Sequence, residues 1–204
     1  MIWAAEGAAL VIALAGTVLG RWQAKDLIWG LWISSLCVGY AWIVTAVVAS
    51  MLRPRLTPGL RAAAVVGGLF LLAFFTVHFG GFHLGHSVFL NVFFPLDPLA
   101  GRDPFTNAPR VILLTLNLYW PVVLASFVSR LPDFPWRGVD MKEKNAMMAP
   151  YANVVRMHLL IFVFAGLAAA KLSDLAVYPV LLFYFVPWGL LFRKRATESV
   201  EERA

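Results

Sequence analysis

The stretch "AAAVVGGLFLLAFFTVHFGGFHLGHSVFLNVFF", residues 62–94, decides the fold. It continues for 33 residues without an acidic side chain, a lysine or an arginine. As a helix it would measure about 50 Å, whereas the hydrocarbon core of a bilayer is about 30 Å thick. The stretch therefore predicts a membrane span that is tilted or broken, with Gly67-Gly68 and Gly80-Gly81 as the weak points.

The composition of the whole chain agrees with a membrane protein. Of its 204 residues, 61% are hydrophobic and 14% are charged, and the mean hydropathy is +0.77. A soluble domain is about half apolar and about a quarter charged. We expect an all-α integral membrane bundle of six transmembrane helices over residues 1–192, followed by a charged tail over residues 193–204. The apolar runs fall at about residues 2–20, 27–52, 62–94, 111–131, 155–172 and 176–192.

The distribution of basic residues predicts the orientation. With six spans, twelve Lys and Arg residues lie on the side that holds both termini, and five lie on the other. Positively charged loops stay in the cytoplasm, so both termini are expected there. The net charge of +6 comes from short clusters between apolar runs, which fits anionic lipid headgroups and not nucleic acid. The expected surroundings are the lipid bilayer, with a protein partner or a homo-oligomer left open.

Four histidines are the candidate functional residues. His78, His83 and His86 lie in the third apolar run, and His158 lies in the fifth. Eight residues of helix separate His78 from His86 by about 12 Å, so one ion cannot bind both on a regular helix. His83 and His86, three residues apart, share a face. Counted from the cytoplasmic edge, His78 and His158 lie at similar depth, and we expect them to face each other.

Facing imidazoles suit a transition-metal ion or a b-type haem. The candidate metal ligands are therefore His78, His158 and His86, with His83 as the weaker candidate. Tyr151 lies on the same helical face as His158 and is a further candidate for contact with a cofactor or small polar ligand. The alternative is structural, because buried histidines also hydrogen-bond to backbone carbonyls of neighbouring helices.

Motifs of known enzyme classes are absent from the sequence. It contains no GxSxG elbow, phosphate-binding glycine loop, HExxH or zinc-type cysteine pair. Cys37 is the only cysteine, so no intrachain disulfide forms. Catalysis is therefore left undetermined. Three classes stay open: a ligand-binding membrane protein, an accessory subunit whose histidines make only interhelical hydrogen bonds, and a small transporter.

Two motifs resemble a family of small polytopic membrane proteins from bacteria and archaea, known as the domain of unknown function DUF6498. The first is "HFGGFHLGH", residues 78–86, with His78 and His86 at its ends; the second is "PYANVVRMH", residues 150–158, which holds Tyr151 and His158. Asn153 stands where the family pattern has an arginine. The resemblance covers roughly residues 30–170. It implies a membrane fold in the cytoplasmic membrane of a prokaryote, and it implies no reaction.

Overall fold

The structure is a computed structural model that describes four α-helices, one π-helical turn and further parts of the chain. The described residues are 11, 15, 23–53, 57–96, 103–131, 134–136, 155, 159–160, 162–167 and 169–172.

Helix α1 covers Ala24–Met51. Its start is fixed by Asp26, whose Oδ2 accepts a hydrogen bond of 2.7 Å from the backbone N–H of Gln23. A carboxylate in the first turn also stabilises the positive end of the helix dipole. The helix ends shortly before Arg53, which precedes a proline. The residue before a proline disfavours the α conformation, so the end is encoded locally.

The long apolar stretch forms one continuous helical rod of 36 residues, Pro58–Phe93. It consists of helix α2 (Pro58–Phe75), a π-helical turn (Thr76–Gly80) and helix α3 (Gly81–Phe93). Thr57 caps its start by accepting a hydrogen bond from the N–H of Leu60, and Pro58 occupies the first helical position.

The π turn ends at Gly80 and so includes the first residue of Gly80-Gly81, one of the two glycine pairs at which a break was predicted. The chain remains helical there, so the rod is not interrupted at this pair. Thr76 opens the turn, and its hydroxyl donates to the carbonyl of Leu72 at 2.8 Å. Such back-bonding competes with the backbone ladder and bends helices. Gly80 and Gly81 then present no side chains that would resist the wider turn.

Helix α4 covers Ala108–Arg130 and is kinked at its centre. Tyr119 has non-helical dihedral angles, φ −119° and ψ 21°, two residues before Pro121. Proline has no N–H to donate to the carbonyl of Asn117, and its ring presses on the preceding turn. The kink therefore follows directly from the sequence "LNLYWP".

Contacts between helices fix their directions. The Tyr119 hydroxyl donates to Oδ1 of Asp26 at 2.8 Å, and the hydroxyls of Ser34 and Ser126 lie 2.9 Å apart. Residue numbers increase in the same direction on both helices from the first pair to the second, so α1 and α4 are parallel. On its other side, α1 contacts the long rod in the reverse order: Trp29 Nε1 donates to the carbonyl of Phe94 at 2.9 Å, whereas a Cβ at Gly68 would lie 2.7 Å from Cε of Met51. The rod is thus antiparallel to α1.

The closest approach of α1 to the rod occurs at Gly39. A Cβ added there would lie 2.7 Å from Cε1 of Phe79, closer than real Cβ contacts allow. The Gly80-Gly81 pair of the rod is less crowded than Gly39. A Cβ at Gly80 would lie 3.1 Å from the Tyr40 hydroxyl, and one at Gly81 would meet nothing within 4 Å in the described part of the chain. Glycines on both helices therefore permit the contact, Gly39 on α1 and Gly68 on the rod.

In the part of the chain that the structure describes, three helices are long and apolar enough to cross a membrane: Lys25–Met51, Pro58–Phe93 and Ala108–Arg130. They match the apolar runs predicted over residues 27–52, 62–94 and 111–131. Large apolar side chains on the outside of the rod are mostly exposed, as at Phe70 (73%) and Val77 (79%). Soluble monomers rarely expose such continuous apolar faces, so contact with lipid is the consistent environment.

The other predicted spans are described only in part or lie outside the described residues. Helical residues 159–160 and 162–167 belong to the run predicted over 155–172. They pack on the core, because the rings of Phe164 and Phe94 lie 5.6 Å apart. The runs predicted over 2–20 and 176–192 lie outside the described residues, apart from Val11 and Ala15. Six spans therefore remain a prediction, and three helices are the observation.

Candidate functional site: a buried histidine pair

The inner face of the rod carries two of the predicted histidines into the protein. His83 is 1% exposed and His86 is 4% exposed, on the side of α3 that also buries Ser87 and Leu90. Nε2 of His83 and Nδ1 of His86 are themselves buried. Histidine is seldom fully buried, and ionisable groups within membrane spans tend to be functional. This pair is the candidate functional site.

One hydrogen bond fixes the tautomer of His83. Its Nδ1 lies 3.0 Å from the carbonyl oxygen of Phe79, one turn earlier in the chain. A carbonyl oxygen only accepts, so Nδ1 carries the proton and, in the neutral ring, Nε2 carries the lone pair. Metal-binding histidines commonly have this arrangement: one ring N–H donates to a carbonyl, and the other ring nitrogen coordinates the metal.

Helix α1 packs against the rod at His83. Trp32 is 1% exposed, and its Nε1 donates to the carbonyl of His83 at 2.9 Å. Phe79 packs its ring 4.3 Å from the His83 ring, centroid to centroid. The imidazole is therefore held through its ring, its Nδ1 and its backbone carbonyl, which leaves it little rotamer freedom.

A serine of α1 adds a further buried polar group. Ser35 is 4% exposed, and its Oγ has no hydrogen-bond partner within the part of the chain that the structure describes. It lies three residues after Trp32 and four before Gly39, the two positions at which α1 contacts His83 and Phe79. Residues at these spacings share a helical face. Ser35 therefore lies on the face of α1 directed to the histidine pair.

The two imidazoles lie near each other, though wider apart than on a tetrahedral ion. Their ring centroids are 6.1 Å apart, with an interplanar angle of 61°. A ring nitrogen lies about 1.1 Å from its centroid and a zinc–nitrogen bond is about 2.1 Å, so two imidazoles on one tetrahedral ion have centroids about 5.2 Å apart, and the rings must approach by about 1 Å to share it. Among the described residues, no group of three or more His, Cys, Asp or Glu could hold a metal ion. Any further ligand must come from elsewhere in the chain or from solvent.

His78 occupies a different environment from the pair. It is exposed, it stacks on Phe74 at 5.4 Å, and it meets Phe82 edge-on at 4.9 Å. Its predicted counterpart His158 lies outside the described residues, as does Tyr151. The facing arrangement of His78 and His158 therefore stays a prediction.

The sequence indicated that His83 and His86 share a face, and the geometry agrees. From the sequence, His83 was the weaker candidate and His78 the stronger. Both lie in the same apolar run, whose pattern does not show which face of the helix is buried. Trp32, Ser35 and Phe79 received no functional interpretation. A usable signal was Ser35 in the second apolar run, since a serine hydroxyl within a span needs a hydrogen-bond partner that lipid does not offer.

Comparison with known proteins places the chain in a family. A family of unknown function, DUF6498, matches residues 3–203. The chain belongs to this family. The match to DUF6498 extends well beyond the two histidine motifs, over nearly the whole sequence. No curated protein and no solved structure matches the chain. Membership in DUF6498 therefore brings no reaction or ligand, and function has to be argued from the site.

Proposed function

We propose that this DUF6498 protein is a membrane-embedded metal-binding protein that holds a transition-metal ion at His83 and His86. The proposal includes the predicted architecture: one bundle of six spans over residues 1–192, a tail over residues 193–204, both termini in the cytoplasm, and a location in the cytoplasmic membrane of a prokaryote.

The observation that carries the proposal is the hydrogen bond from Nδ1 of His83 to the Phe79 carbonyl. It places the Nε2 lone pair of a buried imidazole beside a second buried imidazole, with 6.1 Å between the ring centroids. Neutral imidazole is a good ligand for zinc, copper, iron and nickel. A dry site strengthens coordination, because the low local dielectric increases electrostatic attraction to the ion.

His158 is the proposed third ligand, and Tyr151 is the proposed neighbour of the bound species. Two imidazoles leave a zinc ion under-coordinated, since zinc takes four ligands. The family motif "PYANVVRMH" ends at His158, and residues shortly after it reach the core at Phe164. These facts support the assignment of His158 to the same site.

Metal analysis of the full chain, purified gently from its native membrane, tests the proposal. We expect one ion per chain, lost in His83→Ala and His86→Ala and retained in His78→Ala, whose ring lies on the exposed face. Loss in His78→Ala with retention in His83→Ala would instead support the predicted pair of His78 and His158. An absorption spectrum separates the cases further, because a Soret band would identify a haem in place of an ion. Absence of both metal and chromophore would contradict the proposal.

A structural role is the second candidate, and one contact favours it. Nδ1 of His83 is already hydrogen-bonded to the Phe79 carbonyl at 3.0 Å, without any ligand. In that case the histidines are internal hydrogen-bonding groups of an accessory subunit. His83→Asn keeps a side-chain hydrogen-bond donor but changes the coordinating geometry. If the wild type holds no metal and the variant binds the subunit's protein partner as the wild type does, the structural role is favoured.

A further inference from the structure

Ser35 of α1 is a buried hydroxyl that its own helix does not satisfy. Elsewhere in the described helices, hydroxyls bond to a carbonyl of the preceding turn, as in Thr45, Thr76, Ser87 and Thr115. The Oγ of Ser35 makes no hydrogen bond within the described part of the chain, although the residue is only 4% exposed. A buried hydroxyl without a partner destabilises a fold, so its presence indicates a polar group that binds at this position.

Ser35 lies at the same level as His83 in the packing of α1 against the rod. Gly39 of α1 lies opposite Phe79 of the rod, because a Cβ at Gly39 would be 2.7 Å from Cε1 of Phe79. In an antiparallel pair, four residues back along one helix are matched by four residues forward along the other, since both rise about 1.5 Å per residue. The step back from Gly39 leads to Ser35, and the step forward from Phe79 leads to His83.

Ser35 and His86 lie on the same side of this helix pair. Trp32 and His83 mark the line of contact, since their ring centroids lie 6.3 Å apart and Trp32 Nε1 donates to the His83 carbonyl. Ser35 follows Trp32 by three residues, and His86 follows His83 by three. Three residues fall about 60° short of a full turn, and in an antiparallel pair this equal step turns both side chains to the same side. The Ser35 hydroxyl therefore lies beside the histidine pair, within one helical turn of both members.

We propose that Ser35 is a positioning residue of the metal site and that its hydroxyl hydrogen-bonds to a water bound to the ion. This inference rests on the proposed function, in which His83, His86 and His158 are the protein ligands. Three protein ligands leave a tetrahedral ion one position for a water, as in open zinc sites. A serine hydroxyl suits such a water, because its oxygen accepts a hydrogen bond from the water. Hydrogen bonds of this kind orient metal ligands and raise metal affinity. The site is then an open one, in which Ser35 fixes the position of the bound water.

Titration of the metal-free full chain with Co²⁺ tests the proposal, because Co²⁺ takes the tetrahedral sites of zinc and its visible absorption reports its ligands. Ser35→Ala should weaken Co²⁺ binding about three- to tenfold, the effect of one hydrogen bond, and should shift the visible bands. Ser34→Ala is the matched control, since Ser34 is also 4% exposed but its Oγ lies 2.9 Å from Oγ of Ser126 on α4. It should bind Co²⁺ as the wild type does. Wild-type affinity and spectrum in Ser35→Ala would overturn the inference and leave the metal site standing, whereas a wild type that binds no Co²⁺ would overturn both.

The stability of the metal-free protein separates this role from a hydrogen bond between Ser35 and another part of the chain. If the bound water is the partner, Ser35→Ala removes an unsatisfied buried hydroxyl from the metal-free protein. The variant should then unfold in an SDS titration at the same SDS fraction as the wild type or at a higher one. Ser34→Ala loses its bond to Ser126 and should unfold at a lower SDS fraction. A loss of stability in Ser35→Ala as large as that in Ser34→Ala would show that the chain itself satisfies Ser35, and would overturn the proposal.

Discussion

Replacement of Gly39 by alanine tests the packing that positions the histidine pair. The new Cβ would lie 2.7 Å from Cε1 and 3.3 Å from Cε2 of Phe79. Phe79 cannot move aside easily, because it is fully buried and stacks on Phe75 at 4.4 Å and against His83 at 4.3 Å. Overpacking of this kind costs about 1–3 kcal/mol. Replacing a helical glycine by alanine by itself stabilises the folded state by about 0.5–1 kcal/mol, which offsets part of this cost.

The expected net loss in the free energy of unfolding is therefore up to about 2.5 kcal/mol. Unfolding of the purified protein in mixed micelles by SDS titration measures it. Gly67→Ala is the matched control, since it lies in a helix with nothing within 4 Å of an added Cβ among the described residues. It should raise stability by about 0.5–1 kcal/mol. Equal stabilities of Gly39→Ala and Gly67→Ala would refute the close approach of α1 to the rod.

Two further substitutions test contacts at the helix ends and the kink. Tyr119→Phe removes the hydrogen bond to the Asp26 carboxylate, so we expect a loss of about 1–2 kcal/mol in the same titration; wild-type stability would show that the bond contributes nothing. Lys171 has a φ of 59°, and the N–H of Leu172 donates to the Leu167 carbonyl at 2.8 Å, the bond that closes a helix end in which glycine is preferred. Lys171→Gly should stabilise by about 0.5–1 kcal/mol. Lys171→Ala, which removes the charge but keeps a Cβ, should not, and equal gains in both would contradict the backbone explanation.

The extent of the three long helices was predictable from hydropathy. Apolar runs at 27–52, 62–94 and 111–131 became helices that begin and end within a few residues of those positions. Local chemistry set the ends: a threonine before Pro58, a proline after Arg53, and Pro121 for the kink in α4. These signals act over one or two turns, so one sequence is enough to read them.

The inner face of the rod was not predictable in the same way. Phe70 and Phe74 point outward, whereas Phe75 and Phe79 point inward, and their side chains are identical. In lipid both faces of a peripheral helix are apolar, so amphipathic periodicity is lost. For this reason the sequence could place His78 and His83 in one span but could not tell which of them is buried. Which face of the rod packs against α1 depends instead on shape, here on the space that Gly39 leaves for the Phe79 ring.

X-ray absorption at the metal edge tests the central claim most directly. It would be measured on the full chain purified from its native membrane, alongside the double variant His83→Ala/His86→Ala. The account predicts a bound transition-metal ion with at least two imidazole nitrogens at about 2.0–2.1 Å, and loss of that ion in the double variant. A wild-type protein without metal, or an ion whose imidazole shell is unchanged in the double variant, would contradict the claim that His83 and His86 form the site.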